Sequence, residues 1–194
     1  MQNDNLSGHD SLQLIESMIN KAKNQFNENG TLYLLWGYTI LICCGSQFVA
    51  RFFFDTEKTY YVWFLTWVVV AYQVWFISKR KKEEKVRTYT DHLIGVVWLS
   101  FAAALFLLIF LLNAFKAQEA INPVILVMYG IPTILSGSII KFRPLVIGGI
   151  CCWALALASP FAGVQYQYLL LCVAVIAAWI IPGHLLRIRY QNQH

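Results

Sequence analysis

Charge is the scarcest commodity in this chain. Only 13% of its 194 residues are Asp, Glu, Lys or Arg, while 58% are hydrophobic. A soluble domain carries about a quarter charged residues, and so few charges cannot cover a water-facing surface. Acid is missing from the long apolar runs altogether: Asp55, Glu57 and Glu119 all fall between runs. Ionisable groups inside a membrane are the usual coupling machinery of ion-driven transport, so that class has little to work with. No histidine sits at the middle of a run, which argues against haem. None of the five cysteines has CxxC spacing, so the chain lacks that signature of a metal or redox site. The net charge of +5 belongs to no folded polar domain with a basic patch, so no nucleic-acid partner is expected.

What the chain has is apolar sequence in six blocks: residues 32–54, 60–78, 93–115, 121–140, 145–161 and 168–186. Each approaches the roughly 20 residues that cross about 30 Å of hydrocarbon. None alternates at period two, so helices rather than barrel strands are expected, because a helix satisfies its own backbone groups in lipid. All the basic residues but Arg51 lie outside the blocks. If the six blocks span a bilayer, twelve of the fifteen Lys and Arg fall on one side, leaving Arg51, Lys58 and Lys116 on the other. The densest cluster is Lys79, Arg80, Lys81, Lys82, Lys85 and Arg87. The positive-inside rule makes that side cytoplasmic and, with six spans, puts both termini there. The same cluster is a candidate contact for anionic lipid, although Glu83 and Glu84 dilute its field. Tyr33, Trp36, Tyr60, Tyr61, Trp63, Trp75, Tyr166 and Tyr168 lie near block ends as an interfacial belt does, whereas Trp67 and Trp153 are expected to pack more deeply.

The fold expected is all-α: a polytopic transmembrane helical bundle of six spans, N-in and C-in. It divides into a cytoplasmic segment 1–30, a transmembrane domain 31–188 and a cytoplasmic tail 189–194. Residues 10–29 read as an amphipathic helix, with Leu12, Ile15, Ile19, Ala22 and Phe26 at spacings of three and four. Asp10 with Gln13 resembles a capping box, and Gly30 is a plausible stop. This segment is polar or amphipathic rather than a cleaved leader, so the first block is expected to be a retained span.

The fourth and sixth blocks end alike. Gly137-Ser138-Ile139-Ile140-Lys141-Phe142-Arg143 overlays Gly183-His184-Leu185-Leu186-Arg187-Ile188-Arg189 as Gly, small or polar, two aliphatics, basic, apolar, basic. Each block also holds Ile-Pro, at Pro132 and Pro182. Two readings stay open: related hairpins, or the common ending of any span that finishes in the cytoplasm. If the hairpins are related, the two motifs belong at one depth. Pro132 removes a backbone donor near mid-span and is expected to kink the helix, with Thr133 or Ser136 serving the freed carbonyl. Pro132, Ser136, Ser138, Pro182 and His184 are the candidate cavity or hinge residues, since broken helices line cavities in transporters. Small residues at a spacing of four, Gly148/Cys152/Ala156, Thr133/Gly137 and Ala174/Ala178/Pro182, are expected to let helices approach closely. Gln47 and Gln73 are expected to hydrogen-bond between adjacent spans. Cys43/Cys44 and Cys151/Cys152 are vicinal pairs whose side chains diverge by about 100° on a helix, so small apolar packing is the better reading than soft-metal binding.

Ser136 and Ser138 in the fourth block, with His184 in the sixth, give a partial resemblance to rhomboid intramembrane proteases. It departs from that family in two ways. Leu135-Ser136-Gly137-Ser138 is not the rhomboid Gly-x-Ser-Gly signature, and these residues lie toward the cytoplasm rather than the outer side. No catalytic, cofactor or metal site is therefore assigned, and no cofactor is expected. The stretch Ser11-Leu12-Gln13-Leu14-Ile15-Glu16-Ser17-Met18-Ile19-Asn20-Lys21-Ala22-Lys23, the run Tyr33-Leu34-Leu35-Trp36-Gly37-Tyr38 and the tail Ile181-Pro182-Gly183-His184-Leu185-Leu186 resemble an uncharacterised family of small six-span bacterial integral membrane proteins. That resemblance implies residence in a bacterial inner membrane and supplies no activity. The function expected is a non-enzymatic regulatory, assembly or interaction subunit, with a protein partner or a second copy of the chain. The alternative is a passive or weakly coupled transporter or channel for a small neutral or apolar solute.

Overall fold

The computed structural model describes residues 12–13, 27–54, 58–83 and 89–191. Helices run over Asn27–Phe54, Phe64–Glu83, Tyr89–Ala114, Ile121–Ile139, Arg143–Ala158, Val164–Val175 and Ile181–Gln191. The last two are joined through one π turn, Ile176–Ile180. There is no strand among the described residues. Six helical stretches are long and apolar enough to cross a membrane: Gly30–Phe54, Tyr61–Lys79, His92–Ala114, Gln118–Ile140, Arg143–Phe161 and Val164–Arg189. They are called the first to sixth spans below. Each overlaps one of the six apolar blocks. The amphipathic reading of residues 10–29 lies outside the described residues except at 12–13 and 27–29, as does the basic cluster beyond Glu83. Gly30 does not stop a helix. It lies inside the one that begins at Asn27, and a Cβ there would touch Leu186 at 3.4 Å, so its smallness serves packing on the sixth span.

The spans are not equally buried. Between 33% and 50% of the first, fourth, fifth and sixth lies inside the molecule, against 6% of the second and of the third. The fourth packs along the fifth, and the first packs along the sixth to a similar extent. The second leans on the first, and the third leans on the fourth. The core is aliphatic and aromatic, with Leu126, Leu145, Leu171, Val175, Tyr129 and Trp179 among its members. Trp67, expected inside, is 65% exposed. The second span meets the bundle along one narrow edge, marked by Val69, so most of its perimeter faces away.

Close approach explains which spans form the core. A Cβ on Gly148 would sit 2.6 Å from both the Ala177 oxygen and the Ala178 Cα. The fifth span therefore meets the sixth backbone to backbone, as small residues permit in membrane helices. Gly130 and Gly149 face each other likewise, each with its would-be Cβ 3.0 Å from the other's carbonyl oxygen. The small residues of the three expected stripes, Gly148/Cys152/Ala156, Thr133/Gly137 and Ala174/Ala178/Pro182, are all interior.

Two helix ends share an unusual device. Phe142 N donates to Gly137 O at 2.8 Å and Lys141 N to Ser138 O at 3.2 Å; Ala117 N donates to Leu112 O at 2.8 Å and Lys116 N to Asn113 O at 3.1 Å. These are Schellman closures, whose left-handed residue is usually glycine. Here it is lysine, with φ 57° at Lys116 and 55° at Lys141. A side chain in that region costs roughly 1–2 kcal/mol. Lys141→Gly should accordingly raise the melting temperature in detergent by about 2–4 °C for each kcal/mol relieved, and Lys141→Val should lower it. A melting temperature that falls for Lys141→Gly contradicts this account.

Candidate functional site

Several of the polar groups inside the bundle lie on one face of the fourth span. Asn122, Tyr129, Thr133 and Ser136 recur at intervals of seven, four and three, and all four are buried. At 3.6 residues per turn these positions form a single stripe, turned inward. At its middle, Thr133 Oγ1 donates to Tyr129 O at 2.7 Å and accepts from Trp179 Nε1 at 3.0 Å. Trp179 belongs to the π turn and packs on Tyr129 with ring centroids 4.6 Å apart and the planes tilted by 39°. Trp98 of the third span stands at 5.9 Å from Trp179 and 5.7 Å from Tyr33. Four spans thus meet around one threonine hydroxyl.

The π turn has a local cause. Pro182 has no N–H to give to the preceding turn, and just before it Ile181 N reaches back five residues to Ile176 O. The extra residue widens the helix, and π turns of this kind concentrate at functional sites. In the fourth span Pro132 is absorbed differently. The helix continues through it; the carbonyl it deprives of a donor is Met128 O, four residues back, whereas the Thr133 hydroxyl donates to Tyr129 O.

The five candidate residues do not form one cavity. Pro132, Ser136 and Pro182 are fully buried in packed surroundings, while Ser138 and His184 are exposed. The His184 Nε2 lies 2.8 Å from the Tyr38 hydroxyl of the first span, and Ser136 adjoins Tyr33 instead. The rhomboid-like grouping of Ser136, Ser138 and His184 is thereby split between interior and surface. A concavity lies toward the other end of the fourth and fifth spans. It is an apolar groove of about 320 Å³ lined by Pro123, Val124, Val127, Trp153, Ala156 and Leu157. Trp153, expected to pack deeply, borders this groove and donates from Nε1 to Val127 O at 3.1 Å.

Three further polar contacts tie spans together. Trp36 Nε1 donates to Gln73 Oε1 at 2.7 Å, joining the first and second spans; the partner expected for Gln73 was Gln47, which is buried in the first span. At the start of the fourth and sixth spans, Asn122 Nδ2 donates to Gln167 Oε1 at 3.3 Å, and Gln167 Nε2 to Ser159 O at 3.4 Å. All five cysteines are free thiols. Cys44 and Cys172 lie side by side across the first and sixth spans, a pairing invisible to a reading confined to sequence neighbours. Among the described residues no group of three or more His, Cys, Asp or Glu is placed to hold a metal ion.

Asn122, Ser159 and Gln167 escaped the sequence reading, as did Tyr129 and Trp179. The stripe itself was available as a spacing, from Asn122 through Tyr129 and Thr133 to Ser136. Ser159 and Gln167 join it only through the packing of three helices. No family model, curated protein or solved structure matches the chain. The resemblance to six-span bacterial proteins is therefore carried by its residues alone.

The Thr133–Trp179 bond is the testable centre of this arrangement. Hydrogen bonds between membrane helices average about 0.6 kcal/mol and reach about 1.7 kcal/mol. A double-mutant cycle of Thr133→Val and Trp179→Phe, read by unfolding in mixed micelles, should give a coupling of that order. Strictly additive effects would remove the bond from the account.

Proposed function

We propose that this chain is a multi-pass protein of a bacterial inner membrane that acts without catalysis, as a regulatory, assembly or interaction subunit binding other membrane helices. The supporting observation is the contrast in burial: 6% for the second and third spans against 33–50% for the rest. A tightly closed group of four spans carries two outriggers. Phe64, Trp67 and Trp75 project from one face of the second, and Leu99, Phe106 and Phe110 from one face of the third. These are broad contact surfaces for a protein helix. Meanwhile the residues that might have lined a solute path, Pro132, Ser136 and Pro182, are packed solid, which favours contact over conduction.

Photocrosslinking in native membranes tests the reading. A benzophenone amino acid at Trp67 or Phe106 should give adducts of defined mass with another protein or with a second copy. The same probe at Leu157, 77% exposed on the well-packed fifth span, should give lipid adducts only. Lipid adducts at all three positions, together with solute uptake by reconstituted liposomes, would transfer the protein to the transporter class.

Orientation belongs to the same proposal. The charge pattern supports N-in and C-in, with Lys79, Lys141, Arg187 and Arg189 at the cytoplasmic face, where anionic headgroups would meet Lys79 and its neighbours. Lys79 already lies over the Trp75 ring at 5.7 Å, an interfacial cation–π anchor. A fluorescent protein fused after His194 should fluoresce, and alkaline phosphatase inserted between Lys116 and Ala120 should be active. The reverse pair of results overturns the orientation.

A further inference from the structure

The third span carries two sets of residues on opposite sides. Trp98, Phe101, Leu105 and Ile109 pack against the core. Val96, Leu99, Ala103, Phe106, Phe110 and Asn113 point the other way, and all six are exposed. Their spacing is three, four, three, four and three. That is the repeat of roughly 3.5 residues that holds one seam against a neighbouring helix in a left-handed crossing of about 20°. Gly95 borders the same seam, with open space where a Cβ would be; unlike Gly130, Gly148 and Gly149, it meets no helix of its own chain.

Apolar faces gain little by meeting in lipid, so a helix pair there needs small residues for close approach and polar groups for bonding. The seam has both, and its polar group is self-complementary. Asn113 Nδ2 donates to Ile109 O at 2.8 Å. That bond uses one amide hydrogen and leaves the second, with Oδ1, for a neighbour. A carboxamide both donates and accepts, so it is satisfied by another carboxamide, and a second copy presents one at the same depth. Just beyond the seam, Lys116 and Glu119 are exposed and opposite in charge. Two copies in one membrane share an orientation, so a two-fold axis along the bilayer normal lets each lysine pair with the other copy's glutamate. We propose that the third span is the interface of a parallel homodimer, with the seam from Val96 to Asn113 packed on the same seam of a second copy and closed at the Lys116 end by paired Asn113 amides and reciprocal Lys116–Glu119 contacts. The contact is isologous, so every group on one copy meets its match on the other. This inference rests on the reading of the chain as an interaction subunit and names the partner of one of its two loosely held spans.

Disulfide crosslinking of the full chain in native membranes tests the seam. On oxidation, Leu99→Cys and Phe106→Cys should each give a band at twice the monomer mass. Leu157→Cys, exposed on the fifth span, should not, and neither should the unmodified chain with its five free thiols. Asn113→Leu should leave the melting temperature unchanged and raise the dimer dissociation constant about five- to tenfold, the loss expected for two symmetric hydrogen bonds between membrane helices. Lys116→Glu should weaken the dimer as well, and adding Glu119→Lys should restore it, a rescue that a merely local role for either residue would not produce. Monomer alone at both Leu99→Cys and Phe106→Cys overturns the inference. Capture of a different protein at both positions overturns it too, while leaving the interaction reading in place. Dimer bands at both, joined to solute uptake by reconstituted liposomes, would keep the dimer and discard the interaction subunit.

Discussion

The contact between Gly148 and the Ala177–Ala178 turn fixes the rest of the interior. With no side chain on one partner, the fifth and sixth spans approach until backbone meets backbone. The sixth span is at that level a π turn, forced by the proline that follows, and Trp179 is carried on it. Its indole thereby reaches the fourth span, where the Thr133 hydroxyl waits one residue beyond Pro132. Two prolines that would each disrupt an isolated helix are thus accommodated in different ways: one helix widens, and the other runs on through its proline. In lipid the freed backbone groups have no solvent to turn to, so the accommodation must come from packed neighbours.

The Thr133–Trp179 bond also bears on the matching tails of the fourth and sixth spans. Thr133 lies four residues before Gly137, and Trp179 four before Gly183. That contact ties the fourth and sixth spans together shortly before their tails. The glycines nevertheless serve different contacts: Gly137 makes room for Leu145 and Val146 of the fifth span, and Gly183 for Leu34 of the first. Unequal partners are what two helices at neighbouring places in one bundle would show, whether or not a duplication produced them.

The fold class was legible because it rests on length and charge alone, and both survive any rearrangement of side chains. Six apolar blocks became six spans, with the sixth extended at both ends by polar or basic residues that helix geometry carries along. The interior was much less legible. Periodicity places Asn122, Tyr129, Thr133 and Ser136 on one face but does not say that the face turns inward, because a membrane helix has no polar solvent to mark its outside. Trp67 illustrates the same blindness. Its depth in the second span says nothing about whether bundle or lipid lies beside it. Cys44 meets Cys172, and Gln73 meets Trp36, through helix neighbours that sequence order does not dictate. Gly30 reads as a helix stop when only the chain before it is considered. It becomes a packing residue once the sixth span is known to run alongside.

The division into four close-packed spans and two outriggers follows from where the smallest residues are spent. Glycines at 130, 137, 148, 149 and 183 all stand in contacts between the first, fourth, fifth and sixth spans. Gly95, on the third span, has open space where a Cβ would be, and the second span has no glycine at all. Lipid tails are as apolar as leucine, so helices associate in a bilayer through close packing and polar pairing rather than through hydrophobic exclusion. Spans lacking close glycine packing are held weakly: the second by Trp36–Gln73 and a narrow edge, the third by Trp98 and Phe101 against the aromatic core. Weakly held spans with wide aromatic faces can exchange neighbours at small cost, since moving them breaks few bonds and uncovers no orphaned backbone. A protein built this way keeps its core fixed while its second and third spans stay available to a partner helix, and that physical asymmetry is what an interaction subunit needs.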